Sequence, residues 1–263
     1  MFAHDALATF SGSIVGFVLG LIGGGGSILA VPLLVYLVGV QSPHVAIGTS
    51  AVAVALSALA SLAGHAREHH VKWRCAVVFA CAGVAGAILG SSLGKAFDGQ
   101  KLLLLFGMLM IVIAGRMYWK RSGDGNAAVR LSASTAPNLL PYLLLYGVGV
   151  GALSGFFGIG GGFLVVPGLM AATGMPMIYA IGSSLVSVAA FGLTTAGNYA
   201  VSGMVDWVLV GYFICGGIAG SFFGRLAGRY LSGEKQLLSQ VFATIVLLAG
   251  LFVVVRALPE VAG

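Results

Sequence analysis

The stretch "LIGGGGSILAVP" (residues 21–32) sets four consecutive glycines, Gly23, Gly24, Gly25 and Gly26, in a run otherwise greasy enough to cross a bilayer. Glycine costs a helix about 1 kcal/mol per residue against alanine, and Pro32 follows close behind. Such a run is either a floppy loop or a helix broken so as to hold something. The rest of the chain decides between the two.

Hydrophobic residues make up 59% of the 263 and charged residues 8%, against roughly 25% charged in soluble domains. So few charges cannot cover the surface of a soluble domain. Apolar stretches recur from end to end, many reaching the ~20 residues that a spanning helix needs. The fold class expected is an all-α polytopic membrane protein. The net charge of +6 is no nucleic-acid footprint, because the basic residues sit in short connections, where they act as topological signals. Cys75, Cys81 and Cys215 are widely separated without metal-type spacing, and read as small packing residues.

Eight apolar segments are expected, at about 6–39, 45–64, 75–97, 102–119, 139–173, 178–198, 207–229 and 237–257. The first and fifth would each be about 50 Å long if wholly helical, too long for one crossing of a ~30 Å core. Both carry a glycine cluster near the middle. "GLIGGGGSILAVP" (20–32) matches "GFFGIGGGFLVVP" (155–167) at an offset of 135. One residue is then lost, and "AIGTS" (46–50) meets "AIGSS" (180–184), Trp73 meets Trp207, and Gly83, Gly86, Gly90 and Gly94 meet Gly217, Gly220, Gly224 and Gly228. The chain therefore reads as two homologous halves, 1–119 and 138–263, joined by a polar linker at 120–137.

Charge gives their relative orientation. If segments one and five each enter and return, the halves are inverted. Ten of the thirteen Lys and Arg then fall inside, leaving Lys95, Lys101 and Arg256 outside. If every segment crosses once, the second half puts Arg225, Arg229 and Lys235 outside, which is backwards. Inverted repeats with Gly/Pro-interrupted segments at matching places are the architecture of many secondary transporters, with the site near the midplane.

Broken helices free backbone N–H groups, and the positive end of a half-helix favours an anion. The glycines at 23–26 and at Gly158, Gly160, Gly161 and Gly162 are thus the first site candidates, although glycine also serves plain close packing in lipid. Thr49, Ser50, Ser183 and Ser184 could add O–H donors beside them, or could bond their own backbone. Gly86–Gly90–Gly94 and Gly216–Gly220–Gly224–Gly228 make flat faces for helix contact, and segments three and seven are expected to pack closely, against each other in the simplest case. All seven acidic residues lie at termini or in connections, whereas cation carriers and proton relays usually keep one in the membrane. An anion suits this chain better. His65, His69 and His70 with Arg67, Lys72 and Arg74 form a basic cluster at one connection, either drawing an anion or simply topogenic. Asn198 and Tyr199, the counterparts of Gly64 and His65, are expected to line the same region of the second half. No Walker A, HExxH, CxxC or GxSxG occurs, so no metal or cofactor is expected.

On "GLIGGGGSILAVPLL" with its echo "GFFGIGGGFLVVPGL", on "AIGTS" with "AIGSS", and on the four-segment duplication, the sequence resembles the sulfite exporter TauE/SafE family, over residues 10 to 255. The resemblance implies a secondary transporter of the inner membrane that moves sulfite, organosulfonates or related small anions without an ATP-binding subunit. Carried over residue by residue, it makes Gly23–Ser27, Thr49 and Ser50, then Gly158–Gly162, Ser183 and Ser184, the expected site. Gly162 stands where the first half has Ser27. The rival reading, an intramembrane enzyme acting on lipid phosphate, needs an embedded acid, base or metal set that the apolar segments do not offer. The expected partners are a small inorganic or organosulfonate anion and the lipid bilayer.

Overall fold

The computed structural model describes residues 2–22, 24–119, 131–132, 135–160, 162–230 and 235–262. Most of the linker assigned to 120–137, together with Gly23 and Gly161, lies outside them. Among the described residues the protein is all helix, with no strand. Six helices are long and apolar enough to cross a membrane, and shorter apolar ones lie between and beside them. A chain with this few charges buries its backbone polar groups in helices, because lipid offers them no partner.

Each overlong apolar segment resolves into two pieces. Helix α1 (Phe2–Ile22) ends at the glycine run, followed by a 3-10 turn (Gly24–Leu29), the short α2 (Ala30–Pro32) and a π-wound stretch (Leu33–Val38). The chain there doubles back on α1. Gly26 lies so tightly against Val15 and Leu19 that a Cβ would overlap the Leu19 amide. In the second half, α6 (Ala136–Phe157) breaks at Gly158 and α7 (Gly162–Thr173) returns along it, with Gly168 against Val150. Pro32 and Pro167 cannot donate to the carbonyls four residues back, those of Ile28 and Phe163; the first returning segment winds through 3-10, α and π turns, while α7 stays α-helical throughout. Both end on a left-handed glycine, Gly39 (φ +85°) and Gly174 (φ +69°), the conformation glycine adopts without steric cost at a helix C-terminus.

Four more helices follow the same offset. These are α3 (Pro43–Arg67), α4 (Trp73–Ala96), α8 (Met177–Val201) and α9 (Trp207–Tyr230). Adding 134 to the ends of α3 and α4 gives those of α8 and α9. Asp98 and Asp206 each use Oδ1 to cap two backbone N–H groups, opening α5 (Gly99–Trp119) and α9 respectively, as short acceptors do at helix N-termini. The last helix, α10 (Lys235–Ala262), packs against α5.

Partners are exchanged between the halves. Helix α1 lies on α9, and α4 lies on α6, each pair running parallel. Gly12, Gly16 and Gly20 of α1 meet Phe213, Gly217 and Ser221 of α9, while Gly151 and Gly155 of α6 meet Gly83 and Ala87 of α4. At each glycine a Cβ would overlap the facing backbone, so these helices approach as closely as small-residue faces allow. One expectation is corrected here. Gly86, Gly90 and Gly94 pack on Val148, Ala152 and Phe156 of α6, and Gly216, Gly220 and Gly224 pack on Thr9, Ser13 and Phe17 of α1. The two glycine stripes do not face each other, because each mates with the first arm of the broken segment in the opposite half, α6 or α1. In the centre, α3 and α8 cross antiparallel, Gly48 by Tyr199 and Ala55 by Gly192.

Candidate functional site

The two breaks come together. The 3-10 turn Gly24–Leu29 packs on α7 and touches α8, and the turn after α6 sits against α3 and α8. Gly158 and Gly160 adopt φ of +67° and +62°. At Gly158 a Cβ would overlap the Ile47 side chain of α3, and at Gly160 it would meet Val54 of α3 at 3.3 Å and Val188 of α8 at 3.7 Å. Glycine is required there twice over, by backbone angle and by space. Gly24 and Gly25 lie in the 3-10 turn, and Gly162 opens α7. Ser27, Gly26 and Gly162 are buried. The 3-10 turn and α7 therefore pack on each other beside α8, next to the turn that sits between α3 and α8, and Ile28, Phe157, Ile159 and Phe163 belong to the same buried cluster.

The paired hydroxyl motifs have specific partners. Thr49 Oγ1 accepts the backbone N–H of Asp206 at 3.0 Å, and Ser183 Oγ accepts that of Lys72 at 2.9 Å. These bonds are counterparts under the 134-residue offset. Each ties the start of one central helix to the connection that follows the other. Ser50 and Ser184 donate to the carbonyls of Ile47 and Ile181, three residues back. Asn198 lies ten residues beyond Val188 on α8, about 15 Å along the helix. Its amide donates to Ser91 Oγ (2.6 Å) and Ser92 Oγ (3.1 Å) of α4, and its Oδ1 accepts from Lys95 at 2.7 Å. Lys95 also reaches Ser202 Oγ at 2.9 Å. The structure thus puts Asn198 in a network at the end of the α4–α8 contact, away from the glycines.

Five Ser and Thr hydroxyls were not singled out from sequence. Ser11, Ser61, Ser154, Ser187 and Thr195 are buried, and their oxygens have no hydrogen-bond partner among the described residues. Ser154 stands one turn before the break at Gly158, and Ser187 one turn past Ser183. Ser61 and Thr195 are counterparts at the 134 offset, a signal available in the sequence but diluted by the many Ser and Thr in these helices.

At the opposite end from Lys95, Arg225 of α9 lies against Gly64 of α3. A cavity of about 400 Å³ opens there, lined by Gly64, Arg67, Glu68, Phe222, Arg225 and Leu226. It is a vestibule with two guanidinium groups at its rim. His65, Glu68 and His70 gather beside it, one ligand atom from each lying within 4.8 Å of the other two.

The family described as "Sulfite exporter TauE/SafE" matches residues 8–253. The chain belongs to that family. It is 50% identical over 252 residues to a "Probable membrane transporter protein" of Xylella fastidiosa strain Temecula1, covering 94% of each chain. It is 28% identical to the "Probable membrane transporter protein YunE" of Bacillus subtilis strain 168, covering 86% of this chain and 87% of that one. A similarly named protein of Methanocaldococcus jannaschii is 29% identical over 194 residues, covering 70% and 68%. No solved structure matches. The family member described here is a multi-pass membrane transporter.

Proposed function

We propose that this transporter is a secondary carrier that exports a small sulfur-containing anion, sulfite or an organosulfonate, across the inner membrane. It alternates access at a site between two inverted repeats, 1–119 and 138–263. One observation carries the reading: the two glycine breaks pack together beside α3 and α8, with no carboxylate at them among the described residues. Converging N–H groups and positive dipole ends suit an anion, and glycine lets it approach the backbone. The expected cradle is Gly23–Ser27 with Gly158, Gly160, Gly161 and Gly162, flanked by Thr49, Ser50, Ser183 and Ser184.

Thr49 and Ser183 each accept a backbone N–H and keep a proton of their own to donate. The unpartnered hydroxyls of Ser154 and Ser187 extend the donor set. What supports inversion is the exchange of partners: α1 on α9 mirrors α6 on α4, while α3 crosses α8 antiparallel. Asn198 fits the role of a gate element at the outer mouth better than that of a direct ligand. The reading is of a carrier rather than an enzyme. Flux of sulfite, sulfoacetate, taurine, thiosulfate and sulfate into proteoliposomes tests it, under an imposed proton or potential gradient.

A further inference from the structure

We propose that His65, Glu68 and His70 form a binding site for a divalent transition-metal ion of the Zn²⁺ class, at the vestibule end of α3. Three observations carry this, none of them part of the anion site.

The first is geometry. Helix α3 ends at Arg67, and His69 takes a left-handed turn (φ +55°), the one positive φ at a non-glycine among the described residues. That turn swings the chain back, so that the His70 N–H donates to the His65 carbonyl at 3.1 Å and the two rings lie 6.2 Å apart. His70 Nδ1 stands 3.4 Å from Glu68 Oε2. Two ligands bound to one ion tetrahedrally at about 2.1 Å sit roughly 3.4 Å from each other.

The second is an unmet requirement. His65 is 7% exposed, and neither ring nitrogen has a hydrogen-bond partner among the described residues. Buried polar nitrogens in native proteins are rarely left so, and a metal ion would take up the lone pair of one of them.

The third is the internal repeat, which serves as a control. At the 134-residue offset the second half has Tyr199, Ser202, Gly203 and Met204. Gly203 makes the same left-handed turn (φ +70°), its N–H bonding Ala200 as that of His69 bonds Ala66. The fold builds this corner with no ligand set and with glycine at the strained position. The imidazoles and the carboxylate in the first half are therefore not needed to make the turn.

Two imidazoles and one carboxylate select Zn²⁺, Co²⁺ or Ni²⁺ over Mg²⁺ and Ca²⁺. The positive neighbours sharpen that choice. Arg67 and Arg225 line the vestibule, and Lys72 lies 4.4 Å over the Tyr179 ring beside His70. A hard cation gains too little there. The vestibule gives an ion access to Glu68. A bound ion would tie the end of α3 to the connection whose Lys72 N–H is held by Ser183 of α8.

Tag-free, full-length protein in detergent is titrated with Co²⁺, followed by its visible absorption, then displaced with Zn²⁺. One ion per chain is expected, unmoved by millimolar Mg²⁺ or Ca²⁺. Glu68→Ser and His70→Met, which borrow the residues the fold accepts at the counterpart corner, should each weaken binding about tenfold or more, while His69→Gly retains it. X-ray absorption of the Zn²⁺-loaded wild type, independent of any variant, should show two imidazole ligands. Absence of stoichiometric Co²⁺ binding overturns the proposal, whether or not sulfite binds there instead. So does binding unchanged in Glu68→Ser and His70→Met, effective competition by Mg²⁺ or Ca²⁺, or fewer than two imidazoles at the zinc.

Discussion

Gly158 and Gly174 share a left-handed backbone but not a neighbourhood, and the contrast separates two reasons for glycine. A side chain at either position incurs the left-handed penalty of about 1–2 kcal/mol. At Gly158 it also meets Ile47, whereas nothing lies within 4 Å of a Cβ at Gly174. Gly158→Ala should therefore lower the thermal midpoint in detergent clearly more than Gly174→Ala; equal losses would contradict the packing described. The hydroxyls show where residue-level reading stops. That Thr49, Ser50, Ser183 and Ser184 matter is legible from "AIGTS" and "AIGSS". What they bond is not, because Thr49 and Ser183 find partners 157 and 111 residues away along the chain. Thr49→Val strips the Asp206 N–H of its acceptor and should cost about 1–3 kcal/mol, read as faster hydrogen exchange at Asp206. Unchanged exchange there would mean that the bond does not hold the connection.

Helix ends were largely legible. The breaks at Ile22 and Phe157 follow from the glycine runs, and the ends of α3, α4, α8 and α9 repeat at one offset because duplicated sequence folds alike. The partner of each glycine face was not legible, since a small-xxx-small stripe states that something comes close without saying what. The structure gives α4 to α6 and α9 to α1. A bulky residue on these faces cannot be absorbed, because backbone rather than a flexible side chain stands opposite. Gly86→Leu and Gly220→Leu should each leave the protein aggregated after detergent extraction, while Gly211→Leu, with open space around it, should extract as wild type. Normal behaviour of Gly86→Leu and Gly220→Leu would refute the parallel pairs.

At the scale of the whole molecule, inversion places the connection after α3 and the one after α8 on opposite sides of the membrane. With Cys75, Cys81 and Cys215 replaced by alanine, single cysteines at the counterpart positions Glu68→Cys and Ser202→Cys should react with an impermeant thiol reagent from opposite faces. Labelling from one face would rule out inversion. With labelling from opposite faces, the basic vestibule at Arg67 and Arg225 and the Lys95–Asn198–Ser202 network would be the two mouths of one pathway, with the glycine cradle between them. The most direct measurement is anion flux through purified protein in liposomes, wild type against Gly25→Trp. The account predicts that wild type moves sulfite or an organosulfonate down an imposed gradient, and that Gly25→Trp inserts normally yet carries none. Wild-type liposomes that move no small anion under any proton or potential gradient, or a Gly25→Trp variant that transports as wild type does, would contradict it.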